Sequence, residues 1–188
     1  MPVSVNAQVT DNSSDPMGEK LFVSGQDGYH TYRIPSVVVT MKGTILAACE
    51  GRKDSRSDSG DIDLLVKRSG DNGKTWKLGG STPEHMVNEC EAVELTGGRI
   101  MLNMRNYDPS MRYRQTSVSH DGGISWHEQQ FDTILIEPIC QAAIERFSWP
   151  EDYRQNVILF SNPYEAIVFA QLPLKSMNNE SKPSRLVV

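Results

Sequence analysis

Two octapeptides decide the fold class of this chain: SGDNGKTW at residues 69–76 and SHDGGISW at residues 119–126. Both fit the pattern S-x-D-x-G-x-[ST]-W, and their first serines, Ser69 and Ser119, lie 50 residues apart. A repeat of about 50 residues is typical of four-stranded propeller blades. Two unrelated surface turns are the alternative, but five shared residue types at one spacing favour a true repeat.

The chemistry of the octapeptide predicts a tight hairpin turn. Asp71 and Asp121 are expected to accept hydrogen bonds from backbone N–H groups two residues further on. Gly73 and Gly123 permit a positive φ, and the final tryptophan of each copy is expected to pack back over the turn.

Short runs rich in β-branched residues surround the repeat and indicate strands. They lie at residues 36–40, 44–49, 62–67, 92–95, 99–103, 115–118, 134–136 and 156–160. No stretch of twelve residues has a convincing helical period, although residues 141–147 could form one helical turn. The sequence therefore predicts an all-β fold of short antiparallel strands, as in a sandwich or a propeller.

Composition and charge disfavour several classes of function. A net charge of −5 over 188 residues argues against a nucleic-acid binder, which normally carries a basic face. No run reaches the roughly 18 apolar residues of a membrane span. Cys49, Cys90 and Cys140 form no CxxC pair and the four histidines show no ligand spacing, so no metal or cofactor is predicted. One disulfide with one leftover thiol stays open.

The chain is expected to divide into an N-terminal extension at residues 1–19, a β domain at residues 20–174 and a polar tail at residues 175–188. The extension contains Val5-Asn6-Ala7, which is similar to the end of a secretory signal peptide, although a chance likeness is slightly favoured for this motif alone. A true remnant would favour a secreted or periplasmic protein, and chance would favour a cytoplasmic one.

Three polar stretches adjoin the predicted strands. The first is Tyr32-Arg33-Ile34-Pro35, and the second is the loop at residues 50–61, with seven charges in twelve residues. The third is Asn88-Glu89-Cys90-Glu91, which Arg105 follows at the end of an apolar run. An arginine beside a buried strand is costly without a partner, so these stretches are candidates for a site. A solvated loop is the alternative interpretation of residues 50–61.

Together these motifs resemble those of the sialidases (neuraminidases). YRIP at residues 32–35 is similar to their Arg-Ile-Pro motif, and the two octapeptides are similar to their Asp-boxes. The likeness continues through GRKDSRSDSGDID (51–63), NECEAVELTGGRIMLNMR (88–105), EPICQAA (137–143) and FSNP (160–163). The resemblance implies a sialidase-like β-propeller that hydrolyses terminal α-linked sialic acid from glycoproteins, glycolipids or oligosaccharides.

The resemblance also implies a role for each site residue. Arg33 matches the first and Arg105 the second of three arginines that bind the substrate carboxylate, and Arg52 matches a further pocket arginine. Asp58 matches the acid/base that protonates the leaving oxygen. Glu89 matches the glutamate that takes the proton of a nucleophilic tyrosine.

Alternatives stay open for some of these residues. Asp54 and Asp61 rival Asp58 as the acid. Arg52 and Arg105 could each instead be half of a structural ion pair.

The chain also departs from the family pattern. Six blades of about 50 residues need roughly 300 residues, and only eleven residues separate Trp76 from Asn88, where the family has further blades. No residue matches the third arginine or the nucleophilic tyrosine in context; the remaining tyrosines of interest are Tyr107, Tyr113, Tyr153 and Tyr164. An inactive sialic-acid-binding or remnant propeller is therefore the main alternative, and an unrelated Asp-box scaffold is the third.

Overall fold

A computed structural model describes residues 20–84, 86–149 and 156–163, and the backbone of residues 168–173. These residues form eleven strands and one short 3-10 helix, Thr96–Gly98. The strands are β1 Thr31–Val39, β2 Ile45–Arg52, β3 Ile62–Ser69, β4 Lys77–Ser81, β5 Val87–Glu94, β6 Ile100–Asn106, β7 Tyr113–Ser119, β8 His127–Ile136, β9 Ala143–Ser148, β10 Val157–Asn162 and β11 Val168–Pro173. The all-β prediction is confirmed.

The strands form three antiparallel sheets, which we call blades. Blade 1 has the order β1-β2-β3-β4, blade 2 has the order β5-β6-β7-β8, and blade 3 has the order β11-β10-β9. Consecutive strands therefore pair as neighbours, as in a propeller blade. The described residues contain no helix long and apolar enough to cross a membrane.

The eight runs predicted as strands fall in the strands of these blades, with boundaries that differ by a few residues. The helical turn predicted at residues 141–147 is wrong, because β9 begins at Ala143. Side chains of β9 alternate, with Ala143 exposed, Ile144 buried and Glu145 exposed, so the segment packs with the period of a strand.

Blade 2 lies between the other two blades and is buried on both faces. Alternate residues of β6 face opposite ways, so Ile100 and Leu102 pack toward blade 1 while Met101 packs toward blade 3. The first core joins Leu46, Ala48, Leu64, Val66, Val87, Cys90, Ile100, Leu102, Met104 and Trp126. The second joins Val93, Leu95, Met101, Leu135, Ala142, Ile144, Ile158 and Phe160.

The two Asp-box turns share most of their hydrogen bonds. Asp71 accepts the N–H of Thr75 at 2.9 Å, and Asp121 accepts the N–H of Ser125 at 2.9 Å. In both turns the N–H of the conserved glycine donates to the first serine, at 2.9 and 2.8 Å. Each carboxylate thus accepts the N–H of the residue four positions further on. The expected bond from the residue two positions on, a glycine, is wrong, because the N–H of that glycine donates to the serine hydroxyl instead.

Among the residues that the structure describes, the second Asp-box turn packs on another blade and the first does not. Arg68 of blade 1 donates to Gly122 O at 3.0 Å, and Gly80 N donates to Ile124 O at 2.7 Å. A Cβ on Gly79 would lie 2.1 Å from Gly123 O, so only glycine permits this approach. The repeat therefore joins blades 1 and 2 as well as closing a hairpin.

The three cysteines are free thiols. Cys49 and Cys90 are buried in the blades, and Cys140 is half-buried. The disulfide that the sequence left open is therefore absent among these three residues.

Candidate active site

All five predicted site residues lie at one end of blades 1 and 2. Arg52 ends β2 and pairs with Thr31 of β1 and Ile62 of β3, so the loop that bears Asp58 projects from this end. Asn88 of β5 pairs with Arg105 of β6 at the corresponding end of blade 2. The Asp-box turns connect the opposite ends of their strands, because β3 runs from Ile62 away to Ser69.

β-Bulges orient two of the site residues. The register of β1 shifts between Arg33 and Ser36, where Ile34 has φ 53° and Pro35 has no N–H to donate. The register of β5 shifts between Asn88 and Cys90, which places Glu89 in a bulge. Bulges redirect side chains next to functional sites.

Two arginines bind the same oxygen of Asp58. Arg33 Nη1 lies 2.9 Å from Asp58 Oδ1, and Arg52 Nη1 lies 2.8 Å from it. The pKa of Asp58 lies below its ordinary value because Arg52 donates to the carboxylate and attracts it, and Arg33 and Arg105 add further attraction. The side chain of Asp58 is 74% exposed, so the carboxylate remains open to a ligand.

Arg52 is buried and bound on two sides. Its Nε and Nη2 donate to Glu50 Oε2 at 2.9 and 2.6 Å, and its Nη1 donates to the carbonyls of Arg56 and Ser57 at 2.6 and 2.9 Å. Burial alone would lower the pKa of Arg52, but the bonds to Glu50 and Asp58 raise it. Arg52 thereby holds the loop of Asp58 in place.

Glu89 and Arg105 form the second charged pair of the site. Arg105 Nη1 donates to Glu89 Oε2 at 2.7 Å, and both side chains are largely buried. Burial opposes the charge of Arg105, but the bond to Glu89 raises its pKa. The guanidinium also lies 4.5 Å from the centre of the Tyr107 ring, a cation–π contact.

A cavity of about 440 Å³ opens beside these charges. Its lining residues are Asp58, Ser59, Gly60, Asp61, Ile62, Met86, Val87 and Tyr107. The cavity thus has an acidic wall from blade 1 and an aromatic and apolar wall from blade 2. Such a mixture suits a ligand with both polar and apolar faces.

The rival aspartates differ from Asp58 in their ion pairs, although Asp61 also lines the cavity. Asp61 accepts from Lys53 at 3.0 Å, and the described residues give Asp54 no ion pair. Tyr153 and Tyr164 lie outside the described residues. Within the described part of the chain, no group of three His, Cys, Asp or Glu side chains could hold a metal ion.

Sequence reasoning did not select two residues of this site. Glu50 is fully buried beneath Arg52, and its only signal in the sequence was its place two residues before that arginine. Tyr107 lines the cavity and accepts a 2.7 Å hydrogen bond from Asn88 Nδ2. The sialidase motifs give Tyr107 no matching context, although its position two residues after Arg105 places both residues at one strand end.

Comparison with known proteins identifies the family. Residues 30–177 match the BNR repeat-like domain. The chain belongs to this family. It is 27% identical over 141 residues to a sialidase of Micromonospora viridifaciens, and 45% identical over 89 residues to an exo-alpha-sialidase of Arthroderma benhamiae.

These matches cover 59% and 42% of this chain, and 22% of each relative. The BNR-repeat chain therefore spans less than a quarter of the length of these sialidases. Among solved structures, the Hadza microbial sialidase Hz136 superposes with a TM-score of 0.60 and 24% identity, over 73% of this chain and 27% of that one. The sialidase resemblance of the sequence and its propeller-type fold are thus confirmed.

Proposed function

We propose that this BNR-repeat protein acts on terminal α-linked sialic acid of glycoconjugates, as an exo-α-sialidase. One observation carries the proposal: Asp58 is held by Arg33 and Arg52 at a cavity whose other side is formed by blade 2, where Glu89 and Arg105 are paired. Sialidase relatives support the same substrate class.

The charges of the site fit an anionic sugar. Guanidinium groups bind a carboxylate through parallel, charge-assisted hydrogen bonds. Arg33 is 45% exposed, and Arg105 Nε is buried without a hydrogen-bond partner in the described part of the chain. A sialic acid carboxylate between Arg33 and Arg105 would satisfy that donor and replace Asp58 on Arg33.

A substrate carboxylate that takes the place of Asp58 on Arg33 would favour protonation of Asp58. In the free site the arginines hold Asp58 as a carboxylate, which cannot donate a proton. A substrate carboxylate that neutralises Arg33 weakens this hold and raises the pKa of Asp58. Asp58 then protonates the leaving oxygen and later activates water.

The described residues do not supply the nucleophile that a sialidase uses. Neither the tyrosine nucleophile nor the third arginine of the sialidase pattern has a counterpart in the described part of the chain, so within that part Glu89 has no such tyrosine to activate. General acid catalysis by Asp58 alone contributes about 10²–10⁴-fold. We therefore expect turnover far below that of a full-length sialidase.

The test is release of the aryl alcohol from an aryl α-sialoside by the purified chain. We expect slow turnover that Asp58→Ala removes and that Asp54→Ala, a matched change in the same loop, leaves intact. Turnover unchanged by Asp58→Ala would overturn the assignment of the acid. No turnover together with binding of free sialic acid would favour the inactive sialic-acid-binding protein instead.

A further inference from the structure

Glu50 is a fully buried carboxylate that the chemistry above does not use. It lies on β2 with its side chain 0% exposed, directly between blades 1 and 2. An ionised carboxylate in such a place is costly unless every oxygen has partners. The partners of its two oxygens are therefore informative.

One oxygen of Glu50 holds the acid side of the site. Oε2 accepts from both Nε and Nη2 of Arg52, at 2.9 and 2.6 Å. This fixes the plane of the guanidinium, so that the opposite nitrogen, Nη1, points to Asp58 Oδ1 at 2.8 Å. The position of Asp58 thus depends on Glu50 through Arg52.

The other oxygen of Glu50 holds the base side. Oε1 accepts the backbone N–H of Glu89 at 2.9 Å, at the bulge of β5. The side chain of Glu89 leaves that bulge toward Arg105. A single carboxylate thus joins the backbone of one candidate catalytic residue to the arginine that holds the other.

We propose that Glu50 is the positioning residue of the site, with one oxygen fixing Arg52 and hence Asp58 and the other fixing the backbone of Glu89. The inference rests on the proposed function only in that Asp58 and Glu89 are the reacting carboxylates. In this role, the buried carboxylate of Glu50 sets the distance between blades 1 and 2 where the substrate would bind.

Glu94 provides a matched control at the far end of the same strand contact. It is 6% exposed, and its Oε2 accepts the backbone N–H of Met41 of blade 1 at 2.7 Å. Glu94 thus also joins blades 1 and 2 through a backbone N–H, but it lies at the end of β5 opposite to Glu89. A general loss of contact between the blades would affect both glutamates alike.

The experiment compares Glu50→Gln and Glu94→Gln in the full chain, without any sialoside. Carboxyl ¹³C NMR follows the titration of Asp58, and the amide resonance of Glu89 reports its hydrogen bond. Gln keeps the shape of Glu50, but its NH₂ group must face either the donors of Arg52 or the donor N–H of Glu89. We expect the pKa of Asp58 to rise toward its ordinary value and the Glu89 amide to shift in Glu50→Gln, with neither change in Glu94→Gln.

Glu50→Asp is the second variant, because it keeps the charge but is one methylene too short to hold both partners. If Glu50→Asp loses its contact with Arg52, the pKa of Asp58 should shift. If it loses its contact with Glu89, the amide resonance of Glu89 should shift. The proposal would be overturned if neither the pKa of Asp58 nor the amide resonance of Glu89 changed in either Glu50 variant. Loss of folding in both, beside a folded Glu94→Gln, would also overturn it, since Glu50 would then serve the fold and not the site. Because no readout requires turnover, failure of the sialidase proposal is a separate result.

Discussion

Arg33 Nη1 lies 2.9 Å from Asp58 Oδ1, so the arginine expected to bind the substrate carboxylate is bound to the candidate acid in the free protein. Both side chains are well exposed, at 45% and 74%. An exposed ion pair of this kind contributes little to stability and is readily exchanged for another anion. Under the proposed function, we therefore expect this pair to link binding of a carboxylate ligand to the protonation of Asp58.

The first prediction concerns this exchange. Free sialic acid should raise the pKa of Asp58, because its carboxylate takes over the guanidinium of Arg33 and weakens the stabilisation of the Asp58 anion. Carboxyl ¹³C NMR titration with and without the sugar measures the change. The methyl ester of sialic acid, which has no carboxylate, is the control and should leave the titration in place. Identical titrations with the acid and the ester would contradict the exchange.

The second prediction is that Arg33→Ala weakens binding of free sialic acid about 10- to 100-fold, because a charge-assisted hydrogen bond contributes about 1.5–3 kcal/mol. Isothermal titration calorimetry measures the affinity. Arg99→Ala is the matched control, since Arg99 precedes β6 at the end opposite to Arg105. Equal losses in the two variants would show that net charge, and not the site, governs binding.

The third prediction separates the two Asp-box turns. Asp121→Ala should lower the free energy of unfolding by about 1–3 kcal/mol, because the donors of Ile124 and Ser125 lose their charged acceptor in a turn that packs against blade 1. Asp71→Ala should cost less, since its turn is exposed and closes only a hairpin. Urea unfolding of both variants gives the comparison. A larger effect at Asp71 would count against a blade-joining role for the second turn.

The fourth prediction is a loss of stability in acid. Hydrogen bonds from Thr75 lower the pKa of Asp71 to about 2, and the bonds from Ser125 outweigh burial and lower the pKa of Asp121 as well. A lowered pKa in the folded chain means that the stabilisation is present above the unfolded value and disappears as the pH falls through the folded one. The free energy of unfolding should thus decrease from near pH 3.8 toward pH 2.

The combined variant Asp71→Asn, Asp121→Asn tests this window. It should be less stable at neutral pH and should show a shallower decrease in acid than the parent chain. Parallel pH profiles for the two proteins would mean that other carboxylates dominate the acid response.

The fifth prediction concerns the thiols. Burial raises the pKa of Cys49 and Cys90 to about 12, so neither forms a thiolate near neutral pH. Cys140 is half-buried and accessible. Iodoacetamide should label one thiol of the native chain and all three after denaturation, as counted by mass spectrometry. Rapid native labelling of Cys90 would indicate that blades 1 and 2 separate in solution.

The sequence by itself determined the elements of the fold that depend on local pattern. The two octapeptides predicted a repeated turn with positive φ at Gly73 and Gly123, and the structure has both at 83° and 88°. Short runs rich in β-branched residues predicted the strands, because branched side chains pack well on a pleated sheet. The pattern misled at residues 141–147, where a short apolar stretch fits either period and burial against blade 2 decides for a strand. It also misled in the Asp-box turns, where a serine hydroxyl and not the aspartate accepts the glycine N–H.

Tertiary structure alone decided how the site is assembled. Sequence motifs selected Arg33, Asp58 and Arg105, but no local pattern shows that Arg33 and Arg52 share one oxygen of Asp58. Nor does any pattern reveal Glu50, whose two oxygens bind groups 2 and 39 residues away. The physical reason is that a buried charge is stable only where strands from different blades bring donors to it, and that arrangement exists only after the blades have packed.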